Sequence, residues 1–352
     1  MKNLFFLASL ITTINGIAQD SQQNLSDIQI TARSHQIGAK SPAGYPKIKD
    51  PAGLRFEVGG MYQNAILGGT AYAYLSQTEN PDLYCDHDAQ VLRPRAKMSW
   101  GVNGAVSYYS QQHEYELKLR NSYYDLSTSS SIESSDGSYV YPYSYSSACS
   151  GPLYSKLANS KLDVTYDLLG LELQKSFFVN RYFSIDVVGG LLASWTWFTW
   201  TTQFQELNFE DAGADPEWFL YRQDHSSWFG IGPELGFNLN FNLARGFSLF
   251  FANTGALMYG KYDIKNYHDV FYEEDIDTDI HYGSAKDSIH SIMPYVQSFM
   301  GLAYEFFSAK DRDFIKIRAG YNTQFFFSAN QMLRRNQELQ TQGLQFDLAW
   351  SF

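Results

Sequence analysis

Three stretches carry side chains suited to general acid–base chemistry: Asp86-His87-Asp88, Asp224-His225 and His268-Asp269. Such chemistry needs its groups within hydrogen-bond reach of one another. Nothing in their spacing brings the three stretches together. The chain has no His-Glu-x-x-His zinc motif and no Gly-x-Ser-x-Gly nucleophile elbow. Gly230-x-Gly232-x-x-x-Gly236 departs from the dinucleotide fingerprint, and glycines packed within a strand explain it better. Asp275-x-Asp277-x-Asp279 opens like a calcium loop. Ile280 stands where that loop needs glycine, and no Glu follows at the twelfth position. The expectation is therefore a protein that is not an enzyme, with no metal and no cofactor.

A larger set of ionisable residues recurs with strand periodicity. Glu114, Glu116, Lys118 and Arg120 oppose Tyr115, Leu117, Leu119 and Tyr123; Lys316 and Arg318 oppose Ile315 and Ile317. Successive side chains of a strand point to opposite faces, so each such segment has one charged and one apolar face. The same pattern assigns Arg55, Glu57, Asp163, Asp167, Asp186, Glu234, Glu305 and Asp347 to the charged side. On that reading Leu162, Val164, Tyr166 and Leu168 face lipid, with a β-bulge absorbing the phase slip at Leu168-Leu169. Charges that line a lumen set ion selectivity through their local field, and the acidic excess here points to a weak cation preference. A barrel of about ten strands stands between one filled by side chains and one that holds a water channel. The same charges could therefore pair into a plug.

These faces must be carried by long strands in a membrane. Ten alternating segments fit, near 54–65, 97–110, 112–125, 161–177, 181–204, 226–242, 246–262, 292–306, 312–328 and 343–352. A hairpin within residues 66–96 would raise the count to about twelve. Long and short connections alternate, as in outer-membrane barrels with short periplasmic turns and long outer loops. The predicted fold is an all-β, transmembrane, antiparallel up-and-down barrel with both termini in the periplasm. The closing segment is the clearest: Leu344, Phe346, Leu348, Trp350 and Phe352 share one face. A strand that ends on an aromatic suits recognition by a barrel assembly machinery. Trp195, Trp197 and Trp200 cluster at the outer end of one segment, where an aromatic girdle would meet lipid headgroups and lipopolysaccharide.

Composition agrees. The chain of 352 residues is 17% aromatic yet only 44% hydrophobic, unlike a helical membrane protein. Its net charge of -11 argues against nucleic acid as a partner. Lys2, the apolar run 4–14 and Gly16-Ile17-Ala18 read as an export signal cleaved after Ala18. Residues 19–53 are polar, contain Pro42, Pro46 and Pro51, and are expected to form a flexible periplasmic extension before a barrel spanning 54–352. Cys85 and Cys149 match no metal spacing. In an oxidising compartment they pair with each other, pair with another chain, or remain free thiols.

Several blocks carry a resemblance. Trp228-Phe-Gly-Ile-Gly-Pro-Glu-Leu-Gly236 is followed by Gly246-Phe-Ser-Leu-Phe250 and Leu257-Met-Tyr-Gly-Lys261. Leu162-Asp-Val-Thr-Tyr166 leads to Leu171-Glu-Leu173, and Ile317-Arg-Ala-Gly-Tyr321 precedes Gly343-Leu-Gln-Phe346. Their order resembles the Legionella/Chlamydia-type major outer-membrane proteins, a pore-forming barrel family. The resemblance covers roughly 160–352 and more loosely 54–125. It implies a pore or surface protein of a bacterial outer membrane, and makes disulfide cross-linking to other envelope proteins, or a homo-oligomer, a reasonable expectation. The expected function is passive diffusion of small polar solutes or ions. The alternative is a closed barrel with an adhesive or envelope-structural role.

Overall fold

A computed structural model describes residues 53–68, 70–77, 90–94, 97–110, 115–135, 138–142, 154–180, 182–208, 218–244, 246–272, 280–307, 314–330 and 337–351. The proposed signal and extension, Cys85, Cys149, Glu114 and Phe352 lie outside these residues, as do the Asp86–Asp88 and Asp275–Asp279 motifs.

Thirteen strands occur among the described residues: β1 (Gly53–Leu67), β2 (Ala73–Ser76), β3 (Gln90–Leu92), β4 (Met98–Ser110), β5 (Tyr115–Glu133), β6 (Tyr139–Pro142), β7 (Tyr154–Asn180), β8 (Phe183–Asn208), β9 (Trp218–Ala244), β10 (Phe247–Tyr272), β11 (Ile280–Phe307), β12 (Phe314–Asn330) and β13 (Gln337–Ser351). Every pairing is antiparallel. The order β7-β5-β4-β1-β13-β12-β11-β10-β9-β8 closes on itself through β7–β8. Closure leaves the ring no unpaired edge. The short β2, β3 and β6 stand outside it, joined to β7 at Val140–Ser155. β2 and β3 pair as a hairpin within residues 66–96, where the sequence allowed one, but they do not add strands to the ring; β6, at four residues, is too brief to show a period.

The strand ends flanking 111–114, 181–182, 245–246 and 308–313 share one rim with the start of β1 and the end of β13; this is the near rim. The β9–β10 turn needs Gly246, whose φ of 86° lies in the left-handed region. The opposite strand ends form the far rim.

Directly opposed residues trace a path around the ring: Gly301, Gly320, Gln345, Met61, Gly101, Tyr124, Tyr166, Thr196, Trp228, Tyr262 and Ile289. The path leaves β11 at 301 and returns to it at 289, a stagger of twelve residues. With ordinary strand spacing this gives a tilt of ~40° and a backbone radius of ~10 Å. Side chains from opposite walls of so narrow a ring meet at its axis.

Length then decides what surrounds the ring. The 27 residues of β7 rise ~70 Å along the axis at this tilt, whereas an outer-membrane apolar band is ~25 Å tall. The strands obey that difference. On β8 the outward positions run Ile185, Val187, Leu191, Trp195, Trp197 and then turn polar at Thr199, Thr201 and Gln203. On β10 they pass from Leu249 through Leu257 and Tyr259 to Lys261, Asp263 and Lys265. The inward positions change in the opposite sense, from charged near the near rim to apolar above. One half of the ring is apolar outside and polar inside; the other half is polar outside and apolar inside.

This inversion corrects the expectation at Leu168-Leu169. Pairing of β7 with both neighbours continues there without a register shift. Leu162, Val164, Tyr166 and Leu168 are all buried in the ring. Asp163 and Asp167 share the outer face with Leu171 and Leu173 instead of lining the lumen. The alternation was read correctly, but its two faces were assigned the wrong way round, because above the belt water, not lipid, lies outside.

Candidate functional site: the lumen

The belt half of the lumen is crossed by two ion-paired clusters. In the first, Glu57 of β1 receives Lys118 Nζ at 2.9 Å and the Arg318 guanidinium, and Arg318 also meets Asp347 at 3.0 Å. Asn103 Nδ2 and Gln345 Nε2 donate to the same Asp347 at 2.8 and 2.9 Å. Arg318 lies over the Phe250 and Phe299 rings, with centroids 5.9 and 5.7 Å away. In the second, Arg120 of β5 bridges Glu172 of β7 and Glu234 of β9, the latter at 2.5 Å. Gly170 makes this possible, since a Cβ there would sit 3.0 Å from Arg120 Nε. A side chain there would make Arg120 give by a few tenths of an ångström. Nearer the rim, Lys316 meets Glu305 at 2.8 Å, Arg55 meets Glu116 at 3.5 Å, and Asn240 Nδ2 donates to Asp186 at 3.1 Å.

Buried charges are tolerable when each is paired and further hydrogen-bonded. Each charge in these clusters has an opposite partner because period-two alternation on seven strands points every member inward, although Glu234 Oε2 accepts no hydrogen bond among the described residues. Between the two clusters lies a cavity of about 110 Å³ lined by Lys118, Arg120, Glu172, Arg318, Asn238 and Gln297, among others. That space exceeds the roughly 10–15 Å³ a single water needs.

A floor of aromatic rings closes the lumen above the cavity. Tyr124 stacks on Tyr166 at 5.4 Å, Tyr166 meets Phe326 at 5.3 Å, Phe326 meets Tyr295 at 4.9 Å, and Trp228 meets Tyr262 at 5.9 Å. Three of their polar tips are anchored: Tyr124 donates to the Gln63 carbonyl, Tyr262 to the Ser328 carbonyl, and Tyr295 to Gln297 Oε1. We call this layer the septum. Above it an apolar cap fills the ring with Leu126, Leu162, Phe198, Trp200, Phe204 and Leu220, and Tyr72, Ala73 and Val140 from around the short strands pack into the same cluster.

Of the residues expected to line the lumen, Arg55, Glu57, Glu116, Lys118, Arg120, Asp186, Glu234, Glu305, Lys316, Arg318 and Asp347 project inward. Asp163 and Asp167 project outward: Asp163 pairs with Lys161 at 2.9 Å, and Asp167 accepts from Asn121 at 2.6 Å. Trp195 and Trp197 face outward at the top of the belt. Trp200 does not: it is 2% exposed inside the cap, with Nε1 donating to Ser160 Oγ at 2.9 Å. Trp200 stands three positions beyond Trp197, an odd offset that places them on opposite faces. Asp224 and His225 are likewise split by the alternation. Asp224 meets Arg222 within the cap at 2.7 Å, while His225 faces outward beside Thr199, 3.1 Å away. The sequence reading missed Glu172, Arg222 and Asp224 as inward charges. Glu172 had a signal, since it sits between Leu171 and Leu173.

The family described as Legionella pneumophila major outer membrane protein precursor matches residues 49–352. No curated protein matches the chain. Among solved structures, a FadL homologue of Pseudomonas aeruginosa aligns at 11% identity over 88% of this chain and 95% of its own, with a TM-score of 0.30. The toluene transporter TodX of Pseudomonas putida aligns at 8% identity over 89% and 96%, with a TM-score of 0.26. The translocator domain of the autotransporter NalP of Neisseria meningitidis aligns at 8% identity over 95% and 98%, with a TM-score of 0.28. These scores lie below the level of a shared fold. The family match spans most of the chain, which therefore belongs to the Legionella pneumophila major outer membrane protein family and is a protein of the bacterial outer membrane.

Proposed function

We propose that the protein is an outer-membrane channel of low conductance for ions and small polar solutes, with a weak cation preference. One observation carries this reading: charges of both signs face a polar, water-sized cavity in the middle of the lumen. A ring that needed only to be filled would avoid the desolvation cost of so many buried ions. Inward Glu172 and Asp224 against inward Arg222 keep acids in excess over bases among the described residues. In this orientation the near rim faces the periplasm, residues 1–18 are removed on export, and residues 19–53 extend into the periplasm. Phe352 then closes the barrel where an assembly machinery would receive it, and the far half stands among lipopolysaccharide sugars. Purified protein in planar bilayers should give small discrete openings, with a reversal potential displaced toward that of the cation in a KCl gradient. A folded barrel without openings would end this reading.

The apolar cap favours a second reading, a closed barrel that presents outer loops for adhesion or envelope structure. Cys85 and Cys149 would then cross-link those loops to each other or to other envelope proteins. Loop deletions that abolish surface binding while leaving conductance unchanged would select this alternative.

A further inference from the structure

Within the cap, isolated polar side chains such as Thr128 of β5 and Ser160 of β7 are buried among apolar ones. Around the far half of the ring, β7 presents Leu162, Val164 and Leu168, and β10 presents Met258 and Ile264. The wall made by β12, β13 and β1 is polar at Asn322, Gln324, Thr341 and Gln63 and is then interrupted by Phe326, Leu339 and Leu67, with Gln337 buried beyond Leu339. The β8–β9 seam continues further. Its inward rungs are Gly190–Glu234, Leu192–Gly232, Ser194–Gly230, Thr196–Trp228, Phe198–Ser226, Trp200–Asp224 and Thr202–Arg222. All but Leu192–Gly232 hold a polar group. The next rung, Phe204–Leu220, is apolar and buried.

The seam meets the septum at Thr196. Tyr124, Tyr166, Thr196, Trp228 and Tyr262 are successive members of one register row on five adjoining strands. Thr196 is the one member of those five without an aromatic ring. The hydroxyls of Ser194, Thr196 and Ser226 and the Trp228 Nε1 are completely buried or nearly so, and have no hydrogen-bond partner among the described residues. Buried hydroxyls are seldom left unsatisfied, and in a polar setting water is the usual partner.

Building on the channel reading above, we infer that the β8–β9 seam is the permeation route for water and monovalent cations, with Thr196 as its gap through the septum and Phe204–Leu220 as its outer gate. Oxygen acceptors outnumber donors on the route: the hydroxyls of Ser194, Thr196, Ser226 and Thr202 and the Glu234 and Asp224 carboxylates, against the Arg222 guanidinium, which pairs with Asp224 at 2.7 Å. Such a lining replaces part of a cation's hydration shell and disfavours anions. Water arriving at the mid-lumen cavity has a polar step at nearly every rung until the gate.

Two substitutions in the full-length protein test this, read as single-channel conductance in KCl after folding is verified by heat-modifiable electrophoretic mobility. Thr196→Val keeps the shape and removes the oxygen, so conductance should fall several-fold; Thr196→Ser should retain it. Leu220→Ala widens the gate, so conductance or open time should rise several-fold. A conducting wild type whose Thr196→Val and Leu220→Ala variants conduct as it does would overturn the seam while leaving the channel reading intact. A wild type and Leu220→Ala variant that are both folded and silent would overturn both.

Discussion

Arg120 shows what one side chain does in this lumen. Its guanidinium is held by two carboxylates from two other strands, Glu172 and Glu234. Removing it leaves two acids facing each other in a space from which most water is excluded. Loss of one partner from a buried ion pair costs about 3–5 kcal/mol. Arg120→Ala should therefore lower the urea midpoint of the folded barrel in vesicles by a corresponding amount, and Glu234→Gln in the same background should recover part of the loss. An Arg120→Ala barrel with unaltered stability would show that the cluster is hydrated enough to need no counter-ion. Alternation in the sequence identified Arg120 and Glu234 as inward residues. It could not show that Glu172 joins them across Gly170, because that contact depends on neighbouring strands 52 residues apart in sequence.

At the scale of the strand, the informative feature is the inversion. β5, β8, β9, β12 and β13 were legible because period-two alternation distinguishes two faces whatever the environment. Which face is interior depends on the medium outside. The sequence reading took that medium to be lipid along the whole of β7 and so misassigned Asp163 and Asp167. The correct signal was the change in composition along each outer face, from Leu171 and Leu173 to Asp167, Thr165 and Asp163 on β7, or from Leu257 and Tyr259 to Lys261 and Asp263 on β10. A matched pair of substitutions checks the boundary. Leu235→Arg places a cation on the most exposed apolar position of the belt, at 72%, and should cost about 2–4 kcal/mol. Thr201→Arg, on the outer face of β8 above Trp197, should change stability by less than about 0.5 kcal/mol. Equal costs would mean that the apolar surroundings reach higher than the belt.

For the whole molecule, ring closure and a stagger of twelve residues set a bore too narrow to be left empty. The tryptophans report the resulting compartments. Trp100 and Trp350 stand on the outer face of the belt, 67% and 47% exposed, while Trp200 and Trp228 lie within the ring at 2% each. Lipids brominated on their acyl chains should quench single-tryptophan variants that retain Trp100 or Trp350. Variants that retain Trp200 or Trp228 should remain bright. Quenching of Trp228 to the same degree would place lipid inside the ring and refute the closed cylinder. Much of this architecture could be read from strand periodicity and from the alternation of short and long connections. The septum could not, because a tyrosine in a girdle and a tyrosine across a bore look alike until register aligns Tyr124, Tyr166 and Tyr262.

The polar outer surface of the far half bears on how the protein reaches its place. In the orientation proposed above, Lys161, Asp163, Lys261 and Asp263 decorate strand segments that stand beyond the bilayer from the side of synthesis. Each hairpin tip must therefore be carried across hydrocarbon with charges on one face and Phe, Leu and Trp on the other. Neither face can travel bare: the charged one is insoluble in lipid, and the apolar one, still lacking its ring, is insoluble in water. On that orientation, crossing as a folded bundle within a sheltered opening, with the cap already assembled, would spare both faces. The ring would then be built from its far end downward, and the belt would meet lipid last.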